Sequence, residues 1–259
     1  MDFDIGGSVS TGCQGWSPTR SVARPGQLLR SAMSLTYVVT GGTGALGSAV
    51  VSRLLDAGAH VHVPWIEERE LAAFPHASRV TTSRVELADE AAVRAYYAGI
   101  RDLWGSIHVA GGFSMSAIVD TSAAEFERLW SLNALTCFLC CREAVRAIRR
   151  SGASRGGRLV NVGARPAVLP VGGMVAYSAS KAAVVAITES LAAELKAESI
   201  LVNAILPSIM DTPANRAAMP NADHDSWPKV ADVAEAIAWL ASPGNALTSG
   251  AAVPVYGRG

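Results

Sequence analysis

This 259-residue sequence has few aromatic and few charged side chains. Lysine and arginine together equal aspartate and glutamate at 22 each, so no excess charge favours nucleic acid or a charged membrane surface as a partner. No apolar run reaches the ~18 residues that a membrane span needs. Half of the residues are apolar and only 6% are aromatic, which predicts a domain core filled by small aliphatic side chains.

Cysteine is also scarce, and the four residues are Cys13, Cys137, Cys140 and Cys141. Cys137-x-x-Cys140 has the spacing of a redox pair, but it lies inside a long predicted helix and lacks the usual strand-loop-helix setting. We therefore expect reduced, packed cysteines. His60-x-His62 has no carboxylate or cysteine at ligand spacing, so we predict no metal site.

The first 32 residues contain glycine, serine, proline and arginine but no apolar run long enough for a secretory signal. Serine and arginine also occur in organelle transit peptides, whereas Asp2 and Asp4 are unusual there. We favour a flexible extension over residues 1–32, followed by a single domain over residues 33–259 of a cytoplasmic protein.

From residue 35 onward, short β-branched runs alternate with alanine-rich helical runs. The predicted strands are Leu35–Thr40, His60–Val63, Val80–Glu86, Ile107–Ala110, Arg158–Val162, Leu201–Leu206 and Ala252–Val255. The predicted helices are Ala45–Ala57, Ala91–Trp104, Ala123–Arg150, Tyr177–Ala197 and Val230–Ser242. This alternation predicts an α/β fold: one Rossmann-type, doubly wound parallel sheet of about seven strands with helices on both faces.

A glycine-rich loop, Thr40-Gly-Gly-Thr-Gly-Ala-Leu-Gly47, follows the first strand and opens the first helix. Glycines let a backbone approach a pyrophosphate closely, and the phosphate charge is then stabilised by the helix N-terminus. In this setting the loop predicts dinucleotide binding. The candidate contacts are Gly41, Thr43, Gly44, Ala45, Leu46 and Gly47.

Tyr177 and Lys181 are four residues apart in an alanine-rich helix, so both side chains lie on one face. A phenol has a pKa near ~10, and a neighbouring ammonium group lowers it by favouring the phenolate. The pair therefore predicts Tyr177 as a proton donor that Lys181 assists. Both residues are also candidate cofactor contacts.

Together these features resemble the short-chain dehydrogenase/reductase superfamily, from Leu35 to about Gly257. The resemblance extends to Val109-Ala-Gly-Gly112 after the fourth strand, to Asn133 in the next helix, and to Leu206-Pro-Ser-Ile209. It implies NAD(H) or NADP(H) as cofactor and Asn133 as a catalytic residue that holds a water near Lys181. It further implies cofactor contacts from Glu86, Leu87, Ala110, Gly111, Gly112, Pro207, Ile209 and Thr212.

Four positions depart from the family pattern. Ala45 replaces a glycine of the main-branch loop, and His108 replaces an asparagine and should lie under the cofactor. Ala164 stands where the family has a serine that binds the substrate oxygen. Trp65 occupies the place of the acidic residue that selects NAD, so NAD versus NADP stays open, with a lean to NAD from the acidic residues 67–70.

Within the family, the dihydropteridine reductases also lack that serine. The sequence resembles them at Phe113, at Gly173-Met174-x-x-Tyr177 and, most specifically, along the segment from Leu206 to Trp227. The resemblance implies a flat substrate bound by Phe113, Ala164, Met219 and Trp227.

Three hypotheses follow for function. The first is a reductase of a planar imine or quinonoid substrate similar to a dihydropterin. The second is a reductase of another carbonyl or enone substrate, and the third is a nucleotide-binding regulatory protein with weak or no catalysis. The resemblance also implies a homodimer or homotetramer, assembled through the two long predicted helices.

Overall fold

The structure is a computed structural model that describes residues 35–152 and 156–258. The predicted extension over residues 1–32 and Cys13 lie outside these described residues. The fold is built on seven parallel strands in the order β3-β2-β1-β4-β5-β6-β7. Their bounds are β1 Thr36–Thr40, β2 His60–Trp65, β3 Thr81–Arg84, β4 Leu103–His108, β5 Gly157–Val162, β6 Ile200–Pro207 and β7 Ala252–Val255. This confirms the predicted doubly wound sheet.

Helices cover both faces of the sheet. They are α1 Ala45–Asp56, α2 Glu68–Ala73, α3 Glu90–Ala98, α4 Ala123–Trp130, α5 Thr136–Arg150, α6 Val175–Glu194, α7 Pro213–Ala218 and α8 Val230–Ala241. Helices α1 and α8 pack together on one face, and α3, α5 and α6 form the core on the other. Among the helices described, none combines the length and apolar character that a bilayer crossing needs.

The structure corrects the prediction of a helix over Ala91–Trp104. That helix ends at Ala98, and Leu103–His108 forms strand β4. The Trp104 side chain lies in the core, donating from its indole nitrogen to the carbonyl of Ala241 at 2.9 Å and lying 4.9 Å from the Arg158 guanidinium. These contacts are distant in sequence, and such tertiary contacts override a local helical pattern.

The predicted long helix over Ala123–Arg150 is also interrupted. Helix α4 is followed by a π-helical turn at Ser131–Leu135, and α5 begins only after it. π-helical turns inside helices occur frequently at functional sites. This one carries Asn133.

The order of strands reverses between β1 and β4, which are adjacent in the sheet and followed by helices on opposite faces. Beyond their carboxyl ends the two connecting loops meet: the amide of Ala110 donates to Thr40 Oγ1 at 3.3 Å. In open α/β sheets, ligands bind in the crevice at such a switch point. The candidate site therefore lies at this edge.

Candidate active site

The glycine-rich loop is packed so tightly at Gly41 and Gly47 that neither position can hold a side chain. A Cβ atom on Gly47 would lie 2.0 Å from the carbonyl oxygen of Gly41. Gly41 has a φ of +63°, and a Cβ there would lie 2.7 Å from the nitrogen of Ala110. Helix α1 begins after Gly44 without a side-chain cap, so its first amide groups face the loop. The loop and helix start thus fit the pyrophosphate of a dinucleotide.

The adenosine end of this crevice has an acidic neighbour that the sequence pattern did not single out. Thr43 Oγ1, in the glycine loop, donates to Glu70 Oε2 in α2 at 2.8 Å. Trp65 ends β2 half-buried. After β3, Glu86 is exposed and its carboxylate accepts from the amide of Ala88, while Leu87 is half-buried. The only sequence signal for Glu70 was the acidic run that contains it.

Tyr177 and Lys181 lie one turn apart in α6, as the spacing predicts. The Lys181 side chain is buried, and its Nζ donates to the carbonyl of Val162 at 2.9 Å. Burial lowers the pKa of Lys181 to about 8 and raises the pKa of Tyr177 to about 12. The net pKa of Tyr177 is thus raised rather than lowered as expected, because the loss of solvation outweighs the stabilisation of the phenolate by Lys181.

Asn133 holds the loop after β4 against the catalytic helix. Its Oδ1 accepts from the amide of Gly112 at 3.0 Å, and its Nδ2 donates to the carbonyl of Gly112 and to Ser180 Oγ, both at 3.0 Å. A Cβ on Gly111 would lie 2.5 Å from Asn133 Oδ1 and 3.2 Å from Lys181 Nζ. The structure thus brings Asn133 and Lys181 together beneath Gly111. A water held by Asn133 stays a prediction.

Tyr177 has an apolar neighbour, Phe113, on one side and a small polar cleft on another. Phe113 meets the Tyr177 ring edge-on, with centroids 5.0 Å apart, and 58% of its surface is exposed. Ala164, buried at the end of β5, supplies no hydroxyl. A small cleft beside Tyr177 is lined by hydroxyl-bearing residues that sequence reasoning missed: Ser114, Ser116 and Thr121. The sequence signal available for these three residues was the presence of small polar side chains soon after Phe113.

The loop after β6 is tied together by its own contacts. Asp211 forms ion pairs with Arg216 and Lys229, and these two cations hold the pKa of its carboxyl well below the usual range. Thr212 is buried and its hydroxyl caps α7 by accepting from the amide of Asn215 at 3.1 Å. That hydroxyl was expected to contact the cofactor and is engaged within the loop.

The residues expected to bind a flat substrate do not all meet at one place in the structure. Trp227 is buried, with its ring centroid 4.6 Å from that of His224, and His224 Nε2 bonds the carbonyl of Met219 at 2.8 Å. Ile209 remains 44% exposed beyond β6, which ends at Pro207. The structure brings Phe113 to Tyr177, whereas it joins Met219 and Trp227 to each other through His224.

Cys137, Cys140 and Cys141 are free and buried, as expected, and Cys137 lies beside Cys141 and His108. The thiol sulfurs of Cys137 and Cys141 and a ring nitrogen of His108 all lie within 4.8 Å of one another. His108 Nδ1 also contacts Asn161 Oδ1 at 2.7 Å. The side chain of His108 is buried and bonded within the core, and its expected place under the cofactor stays a prediction.

Known proteins share this architecture. A sequence profile of the short chain dehydrogenase family matches residues 36–223. The 2-(R)-hydroxypropyl-CoM dehydrogenase of Xanthobacter autotrophicus is 29% identical over 248 residues, covering 87% of this chain and 98% of that protein. A short-chain type dehydrogenase/reductase from Mycobacterium ulcerans superposes with a TM-score of 0.80 at 24% identity, over 87% of this chain and 90% of that one. The structure of ElxO with NADP bound gives 0.79 at 21% identity, over 87% and 98%.

The profile match spans most of the chain, and it includes the glycine loop, Asn133, Tyr177 and Lys181. The superpositions show the same fold. The chain therefore belongs to the short chain dehydrogenase family and is an NAD(P)(H)-dependent oxidoreductase.

Proposed function

We propose that this protein reduces a small planar substrate with a conjugated C=N or quinonoid group, of the dihydropterin type. The observation that carries the proposal is the combination of a half-buried tyrosine as proton donor with the apolar, buried Ala164 just beyond the end of β5. Helix α6, which carries Tyr177, packs against the turn at 165–167 that follows Ala164. The site thus retains its proton source and lacks one hydrogen-bond donor for a substrate oxygen.

The chemistry divides between cofactor and protein. When bound, the nicotinamide supplies the hydride. Tyr177, whose pKa is raised to about 12, keeps its proton at neutral pH and can donate it to the substrate heteroatom. Lys181, whose pKa is lowered to about 8, carries a charge at pH 7 that stabilises the phenolate left behind.

The replacement of the family's serine by Ala164 affects which class of substrate the site favours. Losing one preorganised donor to a developing oxyanion costs ~100- to 1000-fold in rate. A conjugated C=N group spreads the developing charge over a ring and depends less on such a donor than a simple ketone does. The exposed face of Phe113, held edge-on against Tyr177, suits a flat ring because aromatic rings pack in offset or edge-to-face geometry.

A second candidate is a carbonyl–alcohol substrate pair. The name of the Xanthobacter relative gives a hydroxypropyl substrate, which places an alcohol carbon at its reaction centre. In this chain Ser114, Ser116 and Thr121 line the cleft beside Tyr177. Their hydroxyls donate to Glu125 and to the carbonyl of Ala117 in this structure, and one of them would have to turn towards the substrate to replace the missing donor. This candidate corresponds to the second hypothesis from the sequence.

The two candidates are separated by a steady-state assay of the purified protein. Oxidation of NADH or NADPH is followed by absorbance with a quinonoid dihydropterin and with a panel of ketones. We expect kcat/KM for the dihydropterin to exceed that for each ketone by at least ~10-fold, and Tyr177→Phe to abolish the enzymatic part of both. A ketone that is turned over faster would favour the second candidate. Full activity of Tyr177→Phe would remove Tyr177 as proton donor.

We also propose that the enzyme prefers NAD(H), through Glu70. The carboxylate of Glu70 touches Thr43 in the glycine loop, between the ends of β1 and β2 where dinucleotide folds hold the adenosine ribose. The 2′-phosphate of NADP(H) would meet this negative charge. Two like charges ~5 Å apart in water repel by ~1 kcal/mol per unit charge.

Glu70→Gln should therefore raise the ratio of kcat/KM for NADPH to that for NADH by ~10-fold. Glu68→Gln removes an exposed charge from the same turn of α2 and serves as control. An unchanged ratio in Glu70→Gln, or the same shift in both variants, would contradict the assignment.

Assembly and location are proposed from the resemblance alone. A homodimer or homotetramer that assembles through α4 and α5 would cover three aromatic residues that are 40–45% exposed there, namely Phe126, Trp130 and Phe138. Both remain predictions.

A further inference from the structure

Three side chains that commonly ligate metals meet in the core below the active site. His108 ends β4, and Cys137 and Cys141 lie one turn apart in α5. Their donor atoms lie within 4.8 Å of one another, and all three residues are buried. Cys141 Sγ lies 3.4 Å from His108 Nδ1. No step of the proposed reduction uses these side chains.

A fourth donor completes the group. Asn161 Oδ1 in β5 lies 2.7 Å from His108 Nδ1 and 3.4 Å from Cys141 Sγ. Around a tetrahedral Zn²⁺ with Zn–S of ~2.3 Å and Zn–N or Zn–O of ~2.0–2.2 Å, ligand atoms stand roughly 3.3–3.8 Å apart. The two 3.4 Å separations match these edges, and the His108–Asn161 pair must open by a fraction of an ångström. The Cys137 sulfur lies within 4.8 Å of the Cys141 sulfur and of a His108 ring nitrogen.

Hydrogen bonds from neighbouring side chains orient the imidazole of His108 and the amide of Asn161. The other ring nitrogen of His108 bonds Ser106 Oγ at 2.8 Å, and Ser106 Oγ in turn bonds Tyr97 OH at 2.8 Å. Asn161 Nδ2 donates to Thr188 Oγ1 at 2.8 Å, which leaves Oδ1 facing the sulfurs. Second contacts of this kind orient histidine and amide ligands in metal sites.

We propose that His108, Cys137, Cys141 and Asn161 bind one thiophilic metal ion, with Zn²⁺ the first candidate. Two thiolates balance the charge of a divalent ion, and the neutral imidazole and amide add none. The complex is therefore neutral and suits an apolar interior, where an uncompensated charge would be costly. Thiolate and imidazole ligands favour zinc over the hard cations that prefer oxygen.

The proposed ion has a structural role. Four protein donors close a tetrahedral site, whereas a catalytic zinc keeps a position open to substrate or water. Asn133, Cys137 and Cys141 follow one another at four-residue intervals, so the ion would lie below the residue that positions the loop at Gly112. It would join β4, β5 and α5. Because the donors are buried, the ion enters as the chain folds, and binding releases the thiol protons.

The test uses the full chain with a Cys13→Ser substitution, which removes the one thiol outside the described residues. The protein is expressed under reducing conditions in medium supplemented with Zn²⁺, or with Co²⁺ as a spectroscopic probe, and metal content is measured by mass spectrometry. We expect about one ion per chain and the visible absorption of tetrahedral, thiolate-bound cobalt. Cys137→Ser and Cys141→Ser should lower the content below a tenth of an ion per chain.

Cys140→Ser is the matched control, because Cys140 is buried in the same turn of α5 but lies outside the group of donors. It should retain the metal. X-ray absorption at the zinc edge of the Cys13→Ser protein supplies a measurement that does not depend on folding of the ligand variants: two sulfurs at ~2.3 Å and two lighter atoms near ~2.0–2.2 Å are expected. Protein free of zinc and cobalt, equal loss in Cys140→Ser, or a shell of nitrogen and oxygen alone would overturn the proposal.

Discussion

Burial shifts the pKa values of Tyr177 and Lys181, the two proposed catalytic side chains, in opposite directions. It raises the pKa of Tyr177 to about 12 and lowers that of Lys181 to about 8, so each neutral form is favoured. Tyr177 therefore holds its proton throughout the neutral range. Lys181 changes charge just above neutrality, and its ionisation limits the pH range in which the pair acts as acid and supporting cation.

This difference predicts the pH profile of reduction. The kcat/KM should stay level below pH 8 and fall above it, as Lys181 loses its proton with a pKa of about 8 and the phenolate loses its stabilising charge. Steady-state rates from pH 6 to 10 measure the profile. In Lys181→Arg the guanidinium stays charged, so any residual activity should show no fall in this range. An identical fall in that variant would assign the titration to another group.

Ala164 gives a second prediction at this scale. Ala164→Ser would restore a hydroxyl at the end of β5 and should raise kcat/KM for ketones by ~10-fold or more, while reduction of a conjugated imine changes little. Ala167→Ser makes the same chemical change in the following turn, where the side chain packs against a small apolar cluster, and is the control. If ketone turnover stays low in Ala164→Ser, the missing hydroxyl does not limit the substrate range.

Among the elements, the π-helical turn at Ser131–Leu135 determines the geometry of the site. It lies between α4 and α5 and directs Asn133 into the backbone of Gly112 on one side and to Ser180 of α6 on the other. The turn thus joins the loop after β4 to the catalytic helix. Regular α-helical winding would shift the Asn133 side chain around the axis, because each residue turns the helix by ~100°.

A substitution at Gly111 tests the importance of the close packing of the loop after β4 on Asn133 and Lys181. In Gly111→Ala the added methyl would lie 2.5 Å from Asn133 Oδ1 and 3.2 Å from Lys181 Nζ, so one of these side chains must move. We expect kcat/KM to fall by ~10- to 100-fold, because small displacements of catalytic groups have effects of this size. Gly172→Ala is the control, since a Cβ there meets nothing within 4 Å. Equal activity of the two variants would show that the junction tolerates displacement.

At the scale of the molecule, burial of the charged form of Lys181 opposes folding. Lys181 is almost entirely buried between α6 and the sheet, with one carbonyl as its hydrogen-bond acceptor. Because its folded pKa of about 8 lies below the ordinary value of 10.5, the unfolded chain binds more protons between these two values. Its contribution to stability is therefore unfavourable below pH 8 and becomes less so as the pH rises from 8 to 10.5.

Lys181→Met should accordingly be more stable than the native chain at pH 7, by about 1–3 kcal/mol, while losing turnover. The gain should shrink between pH 8 and 10.5. Urea unfolding of both proteins at pH 7 and pH 10 measures the difference, and comparing the two cancels the titration of all other groups. A difference that does not change with pH would contradict the predicted burial penalty.

Local sequence patterns were sufficient to predict much of the fold and of the candidate site. The glycine loop, the strand–helix alternation and the spacing of Tyr177 and Lys181 each depend on residues close in sequence, and their geometry follows from regular secondary structure. The same local reasoning failed over residues 99–104, where Trp104 belongs to a strand because its partners are remote.

Contacts between segments that are distant in sequence became evident only in the folded structure. Glu70 reaches Thr43 across 27 residues, and Cys137 associates with His108 rather than with its neighbour Cys140. The directions of the pKa shifts at Tyr177 and Lys181 likewise depend on solvent removed by every element around them. The sequence by itself determined the family and the fold, and it pointed to Tyr177 as the proposed proton donor. Only the tertiary structure decided the environment of Tyr177, because desolvation and long-range packing are properties of the assembled core.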